Sequence, residues 1–286
     1  MKIIRSVAEL RAAVGAARAR GARIGFVPTM GAFHDGHLAL MRRARERCGF
    51  VVVSLFVNPT QFSESSDLDR YPRDEARDAR LASTTGVDVL FAPMVSEVYP
   101  RGFSTTVDVG IVSEPLEGLV RGPQHFRGVA TVVSKLFNMV QPDDALFGQK
   151  DAQQAVLIQR MVRDLDFPIR IEVCPTVREA DGLAMSSRNA LLDPESRRRA
   201  PAISRALFAI AASVEQGETD ATRALAVGSR ILREAGITPE YLAAVDAETL
   251  APASSIQKPT LIAVAARLGL VRLIDNVVVG PFGPTA

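Results

Sequence analysis

Up to residue 173, short apolar runs alternate with longer stretches of helical period. The runs are residues 23–27, 50–57, 87–91, 145–147 and 169–173, rich in Val, Ile, Leu and Phe. A strand wet on one face alternates apolar with polar positions. A run as continuous as Phe-Val-Val-Val-Ser-Leu-Phe-Val at residues 50–57 belongs to a strand buried on both faces, as in a parallel sheet covered by helices. Between the runs lie helical segments. The first is rich in Ala and Arg, begins with the capping-box spacing of Ser6 and Glu9, and ends near Gly21. Others cover residues 38–45, residues 129–139 and the segment reaching Arg163. This alternation predicts an α/β fold with a doubly wound, Rossmann-like parallel sheet. Of the connecting pieces, residues 95–102 read as loop, residues 105–108 as a short strand, and residues 121–128 as a Gly/Pro-bearing loop holding His125. Residues 67–78, dense in charge around Tyr71-Pro72-Arg73, read as a solvated loop or helix face.

After Val173 the pattern changes. Two long helices, residues 194–216 and 220–235, are followed by short strands at residues 240–245, 261–266 and 271–274. The tail from Gly280 is rich in Pro and Gly and is expected to be loose. The expectation is therefore two domains: a Rossmann-like domain over residues 1–174 and a smaller α+β domain over residues 175–286.

Composition narrows the class. The chain has 286 residues, 47% hydrophobic, with a formal net charge of +2. That balance gives no electrostatic reason to expect nucleic acid or a membrane surface as partner. No apolar run approaches the roughly 18 residues needed to span a bilayer. The first residues lack a secretory signal, and Cys48 and Cys174 are isolated thiols, so a reducing, cytoplasmic setting is expected.

The chemistry concentrates in residues 28–37, Pro-Thr-Met-Gly-Ala-Phe-His-Asp-Gly-His, between the strand at 23–27 and the helix at 38–45. Two of the chain's three histidines, His34 and His37, stand here. Gly31 and Gly36 let the backbone approach a ligand, and Asp35 reads as the helix N-cap. A helix N-terminus offers free N–H groups and partial positive charge, which suit phosphate, and two imidazoles three residues apart share a face with it. The spacing does not fit the His-Glu-x-x-His pattern of zinc proteases, and the chain has too few His and Cys for a zinc site.

Other clusters fit the same chemistry. Residues 148–151, Gly148-Gln149-Lys150-Asp151, stand where a strand meets a helix. There Lys150 can reach phosphate oxygens and Asp151 a ribose hydroxyl or Mg²⁺, although an ordinary surface Lys–Asp pair would look the same. Met185-Ser186-Ser187-Arg188 brings hydroxyl and guanidinium donors in a loop of small residues, where the plain alternative is a Ser-rich connector. Asn58 and Gln61 follow the strand at 50–57. No Walker A sequence occurs. The chemistry that fits is attack on the α-phosphate of a nucleoside triphosphate with pyrophosphate leaving.

The two-histidine motif resembles the signature of the HIGH-motif nucleotidylyl-transferase superfamily, which includes class I aminoacyl-tRNA synthetases. Together with residues 57–62, Tyr71-Pro72-Arg73, residues 125–128, residues 148–151 and residues 175–189, it resembles one family in particular, the pantothenate synthetases. The resemblance implies ATP-dependent condensation of (R)-pantoate with β-alanine through a pantoyl adenylate, releasing AMP and pyrophosphate. It implies that Met30, Gly31, His34, His37, Gly148, Gln149, Lys150, Asp151, Val177, Met185, Ser186, Ser187 and Arg188 bind ATP. Val177 and Met185 would read adenine through their backbone. His37, His34, Lys150 and Arg188 would carry the catalysis, with His37 the candidate proton donor to the leaving group. Gln61, Gln154 and Asn58 would bind pantoate and border the β-alanine position. Mg²⁺ would bridge phosphate oxygens with few protein ligands, Asp151 among the candidates. A homodimer is implied as well. Because it follows the sheet immediately, the C-terminal domain is expected to close over the ATP site as a lid, with residues 186–188 near the hinge.

Two departures stand out. Gln149 occupies a position where the family usually has Glu, and the loop at residues 121–125 is one residue longer than the family's, which leaves Arg121 without an assigned role. The rivals are a nucleotidylyltransferase that adenylylates a phosphorylated acceptor, a tRNA synthetase fragment, and a nucleotide-binding protein without catalysis. The first would need a basic acceptor pocket where this chain has neutral amides. The second would need a basic surface. Intact His37, Lys150 and Arg188 count against the third.

Overall fold

The structure, a computed structural model, describes residues 1–62, 68–69 and 71–281. The expected loose tail beyond residue 281, and Asp67 and Arg70 of the charged stretch, lie outside the described residues. The chain forms two compact units, Met1–Gly148 with Leu157–Pro175, and Gln149–Val156 with Thr176–Ala286.

The first unit carries β1 (Lys2–Ile4), α1 (Val7–Ala19), β2 (Ile24–Thr29), α2 (Asp35–Arg47), β3 (Phe50–Leu55), α3 (Glu75–Ser83), β4 (Val89–Phe91), α4 (Val95–Val98), α5 (Glu117–Arg121), α6 (Pro123–Val140) and β5 (Asp144–Gly148). The helix α7 (Ala152–Asp164) then leads to β6 (Arg170–Cys174). The sheet order is β1-β4-β3-β2-β5-β6, with every pairing parallel. From β2 the chain builds outward through β3 and β4, then returns to lay β5 on the other side of β2. The strand order therefore reverses between β2 and β5, and the carboxyl ends at such a reversal are where open α/β sheets bind ligands. The helix α2 turns Leu38, Met41 and Ala44 onto Val27, Val51, Val53 and Leu146 of the sheet.

At the opposite, amino end, Asp144 is fully buried and accepts from both Arg23 and Arg170. Burial pushes the Asp144 carboxyl up, but the two guanidinium bonds outweigh it and hold the group below the usual carboxylate range. This tie joins β2, β5 and β6 at the end of the sheet away from the two histidines.

The second unit packs α8 (Pro194–Arg199), α9 (Ala202–Glu215) and α10 (Ala221–Glu234) with an antiparallel sheet in the order β7-β8-β9. Its strands are β7 (Pro239–Asp246), β8 (Thr260–Leu268) and β9 (Val271–Val279). Its core joins Ile203, Leu207, Ile210 and Leu232 of the helices to Ile262, Val264 and Leu273 of the strands.

Several expectations need correction. Residues 105–108 form no strand, because Val107 spends its N–H on Thr131 Oγ1 of α6 rather than on a neighbouring strand. Residues 121–128 are not a loop: α5 ends at Arg121, Gly122 turns with φ +77°, and α6 starts at Pro123. Proline at the first helical position loses no helix hydrogen bond and comes preset in φ, so it starts a helix here. Residues 95–102 contain the one-turn helix α4. The helix expected over residues 194–216 is broken, because Pro201 has no N–H to continue the ladder from α8 into α9. Last, β9 does not stop at Ile274. It continues through Asp275 and Asn276, both buried, to Val279.

Candidate active site

The turn after β2 is built from its own sequence and one remote carboxylate. Gly31 has φ +88° and Ala32 φ +53°. The left-handed region suits glycine and strains alanine. The strain is held by Asp78 of α3, whose carboxylate accepts from Ala32 N at 2.7 Å and Phe33 N at 2.8 Å. Arg77 completes the clamp by donating to Phe33 O at 3.1 Å. A Cβ at residue 31 would stand 2.9 Å from Asp78 Oδ2, so glycine is needed there for space as well as for φ. Asp78 is 1% exposed, which overturns the solvated reading of the charged stretch at this residue.

The N-cap of α2 is His34, and Asp35 is the first helical residue, exposed. His34 Nδ1 accepts from Gly36 N at 3.2 Å, and His37 Nδ1 accepts from His34 N at 3.4 Å, a capping box made of two imidazoles. The imidazole thus supplies the acceptor that a short carboxylate would have supplied. A Cβ at Gly36 would lie 2.9 Å from His34 Cε1, so the cap requires glycine. The two rings touch at a tilt of 40°, with centroids 4.2 Å apart. Because Nδ1 of each ring is an acceptor, the neutral ring of each carries its proton on Nε2.

After β3, Asn58 caps the 3₁₀ turn Pro59–Gln61. Its side chain is 1% exposed and its amide is fully engaged. Nδ2 donates to Gln61 Oε1 at 3.0 Å and Gly128 O at 3.1 Å. Oδ1 accepts from Thr60 and from the Tyr99 hydroxyl at 2.9 Å, whose pKa burial pushes up. Asn58 therefore sets the orientation of Gln61. Gln61 Nε2 points to Met30 Sδ at 3.0 Å, and His125 Nδ1 lies 2.8 Å from Gln61 O. The first unit thus brings Met30, Gly31, His34, His37, Asn58 and Gln61 into one set of connected contacts.

In the second unit, residues Gln149–Asp151 form a 3₁₀ turn, with Lys150 Nζ 3.6 Å from Asp151 Oδ1. Gln154 follows on α7, half-buried. Met185 N donates to Val177 O at 2.9 Å, and Arg178 bridges Ala184, closing residues 177–185 into a hairpin. Ser186 Oγ accepts from Arg188 N at 3.2 Å and caps the 3₁₀ helix Ser187–Leu191. Arg188 is exposed, and among the described residues its guanidinium pairs with no carboxylate.

Residues with no assigned role hold these pieces. Arg178 makes two bonds to Asp275, at 2.7 and 3.0 Å, and lies over the Phe208 ring. Asn276 Nδ2 donates to Gln149 O at 2.9 Å and Lys150 O at 3.0 Å. A polar Asp-Asn pair interrupting an apolar strand pattern was the available signal, and it read as the strand's end.

Comparison with known proteins decides what this arrangement belongs to. The family model described as pantoate-beta-alanine ligase matches residues 2–278. The chain belongs to the pantoate-beta-alanine ligase family. It is 52% identical over 281 residues to the pantothenate synthetase of Pelotomaculum thermopropionicum, covering 98% of this chain and 99% of that one. Among solved structures it is similar to the pantothenate synthetase of Thermus thermophilus, at TM-score 0.92 and 50% identity, over 98% of this chain and 100% of that chain. It is also similar to the pantoate-beta-alanine ligase of Francisella tularensis complexed with beta-gamma ATP and beta-alanine, at TM-score 0.80 and 33% identity, over 97% of each chain. As a member of this ligase family, the chain combines a six-stranded parallel sheet with a separate three-stranded antiparallel one. Gln149 gives its side chain to Asn276, donating from Nε2 to Oδ1 at 2.8 Å. Among the described residues no helix is long and apolar enough to cross a membrane.

Proposed function

We propose that the chain condenses (R)-pantoate with β-alanine at the expense of ATP, through a pantoyl adenylate, releasing AMP and pyrophosphate. The observation that carries this reading is the capped His34–His37 pair at the carboxyl end of β2, in a chain that matches the ligase family over nearly its whole length.

In the first step the pantoate carboxylate attacks the α-phosphorus and the bond to the pyrophosphate oxygen breaks. Charge builds on the leaving group. Both imidazoles carry their proton on Nε2, and the N-terminus of α2 adds its dipole, so this turn is prepared to donate toward that charge. His37 donates a hydrogen bond from Nε2 to the leaving oxygen, the neutral ring keeping its proton. Lys150, Ser186, Ser187 and Arg188 supply further cationic and hydroxyl donors to the phosphates, with Met30, Gly31, Gly148, Gln149, Asp151, Val177 and Met185 holding the rest of the nucleotide. In the second step the β-alanine amine attacks the adenylate carbonyl and AMP leaves. Gln61 and Gln154 bind the pantoyl part, and Asn58 keeps the Gln61 amide in one orientation. An amide held in this way leaves its partner unpaired when the wrong acid binds, which is a strong source of selectivity.

Mg²⁺ accompanies the nucleotide. Among the described residues no cluster of three or more His, Cys, Asp or Glu is placed to hold a metal. One carboxylate, Asp151, stands at the turn after β5, which fits an ion that keeps most of its shell as phosphate and water. When bound, the ion supplies neutralising charge at the phosphates. We place the enzyme in the cytoplasm, as a homodimer.

The test is exchange of labelled pyrophosphate into ATP with pantoate present and β-alanine absent. Exchange that depends on pantoate and disappears in His37→Ala is expected. Exchange driven only by another acid or by a phosphorylated acceptor would overturn the substrate assignment and leave the fold and nucleotide chemistry standing.

A further inference from the structure

Asn276 stands on the middle of β9, is 4% exposed, and gives its whole side chain to the turn after β5. A primary amide has two hydrogens on nitrogen. Here Nδ2 donates to two consecutive carbonyls, Gln149 O and Lys150 O, while Oδ1 accepts from Gln149 Nε2. Two consecutive carbonyls held by one nitrogen fix the peptide planes on either side of the Lys150 Cα, and with them the direction in which that side chain leaves the backbone. Lysine is a point charge on a flexible stem, so its aim depends on its backbone anchor more than an arginine fork would. Asn276 is itself fixed: its backbone N donates to Asp275 Oδ1 at 2.8 Å, and Asp275 is locked by Arg178. All of these contacts lie within the second unit.

We infer that Asn276 is a positioning residue for adenylate formation, acting on the ATP phosphates through the Lys150 ammonium. This rests on the reading above that Lys150 contacts those phosphates. A merely structural Asn276 would lower stability and depress every kinetic parameter whether or not Lys150 is present. A positioning residue acts only through the group it aims.

The experiment is a double-mutant cycle on the full chain. Asn276→Ala, Lys150→Ala and the double variant are assayed by pantoate-dependent pyrophosphate exchange, with kcat and KM determined separately for ATP and for pantoate, and Tm recorded for each. Asn276→Ala is expected to lower kcat/KM for ATP by roughly 10- to 100-fold, as misplacement of a catalytic group does. The KM for pantoate should stay within about twofold, and in the Lys150→Ala background the Asn276→Ala effect should shrink to about twofold or less. Losses that multiply in the double variant, or an unchanged kcat/KM for ATP in a folded Asn276→Ala, overturn the inference. The two readings fail differently. A Lys150→Ala enzyme with normal exchange removes Lys150 from the phosphates and takes the inference with it, whereas an impaired Lys150→Ala enzyme with multiplying losses removes only the inference. Should Asn276→Ala not fold, Gln149→Ala takes its place. It keeps the backbone through which Gln149 is expected to hold the nucleotide and removes the side-chain bond that orients the Asn276 amide; the same cycle with a loss of about threefold or more is expected, and a loss of equal size without Lys150 overturns it.

Discussion

The turn after β2 and the turn after β5 follow neighbouring strands of one sheet, yet they are held in contrasting ways. The first is capped by its own residues. His34 caps the helix it precedes, His37 reaches back three residues, and one carboxylate, Asp78, secures the backbone between. The second leans on a distant strand. Its carbonyls are taken by Asn276, more than a hundred residues further along the chain. A self-capped turn is readable from a string of ten residues, whereas a remotely supported one reads as an ordinary Lys-Asp dipeptide. The contrast also separates two kinds of sensitivity. Damage to the first turn falls on the chemistry, and damage to the second on what holds the chemistry in place.

The largest effect that sharpens this contrast is expected at His37. His37→Ala should reduce pantoate-dependent pyrophosphate exchange by about 10²-fold or more, the scale of a lost hydrogen-bond donor to developing charge, while helix capping loses only about 1 kcal/mol. Activity and urea-unfolding data on the same preparation check this. A loss of stability large enough to explain the lost rate would mean that the pair is architectural.

Next is Asp275→Ala, which leaves the Arg178 guanidinium, 17% exposed, without its carboxylate. Removing one partner of a buried pair is strongly destabilising, and about 3 kcal/mol is expected in denaturant unfolding of the second unit. An unchanged midpoint would show that the Phe208 ring and Gly182 O suffice for Arg178, and would weaken the idea of remote support.

Asp78→Ala comes third, at about 2 kcal/mol, because a buried and a half-buried N–H group lose a charged acceptor and Ala32 loses what holds it at positive φ. Its rate loss should exceed what the stability loss explains. Full activity in this variant would mean that the imidazole capping box holds the turn unaided.

The smallest effect concerns the thiols packed in the core beneath α2. Burial pushes both Cys48 and Cys174 up to about 11, from 9.0, with nearby Asp144 and Glu172 adding to it. A proton held more tightly in the folded chain stabilises it fully below pH 9, and that contribution drains away as pH rises from 9 toward 11. Unfolding free energies at pH 8 and pH 10 should therefore differ more in the parent protein than in Cys48→Ala. Equal differences would show that the core around α2 already admits water.

Much of this was legible in the sequence. The alternation of apolar runs announced the parallel sheet, and the change of pattern after Val173 announced a smaller α+β part. The glycines and histidines of residues 31–37 announced the first turn, because its helix cap is made within a few residues. What stayed hidden depends on partners far away. Asp78 sits in a stretch of charge that composition assigns to water, but its carboxylate is consumed by backbone 46 residues earlier at Ala32. Asp275 and Asn276 look like the end of a strand because buried polar groups are tolerated only with partners, and those partners stand 97 and 127 residues away. Pro123 reads as a loop residue until its place at the first position of α6 is known. Periodicity shows which face is apolar and carries no record of which polar groups meet.

The chain passes between its compact units three times, after Gly148, after Val156 and after Pro175. In genetic terms the smaller unit is not a cassette. A crossover between two relatives at residue 175 would draw Gln149 and Lys150 from one parent and Asn276 from the other, so the hydrogen bonds between them would have to be compatible by chance. Recombination that keeps residues 149–156 together with everything after 175 respects the unit, and it needs three breakpoints rather than one. Such a chain is far more easily altered by point substitution than by exchange of parts, and libraries of chimeras built on it should be cut accordingly.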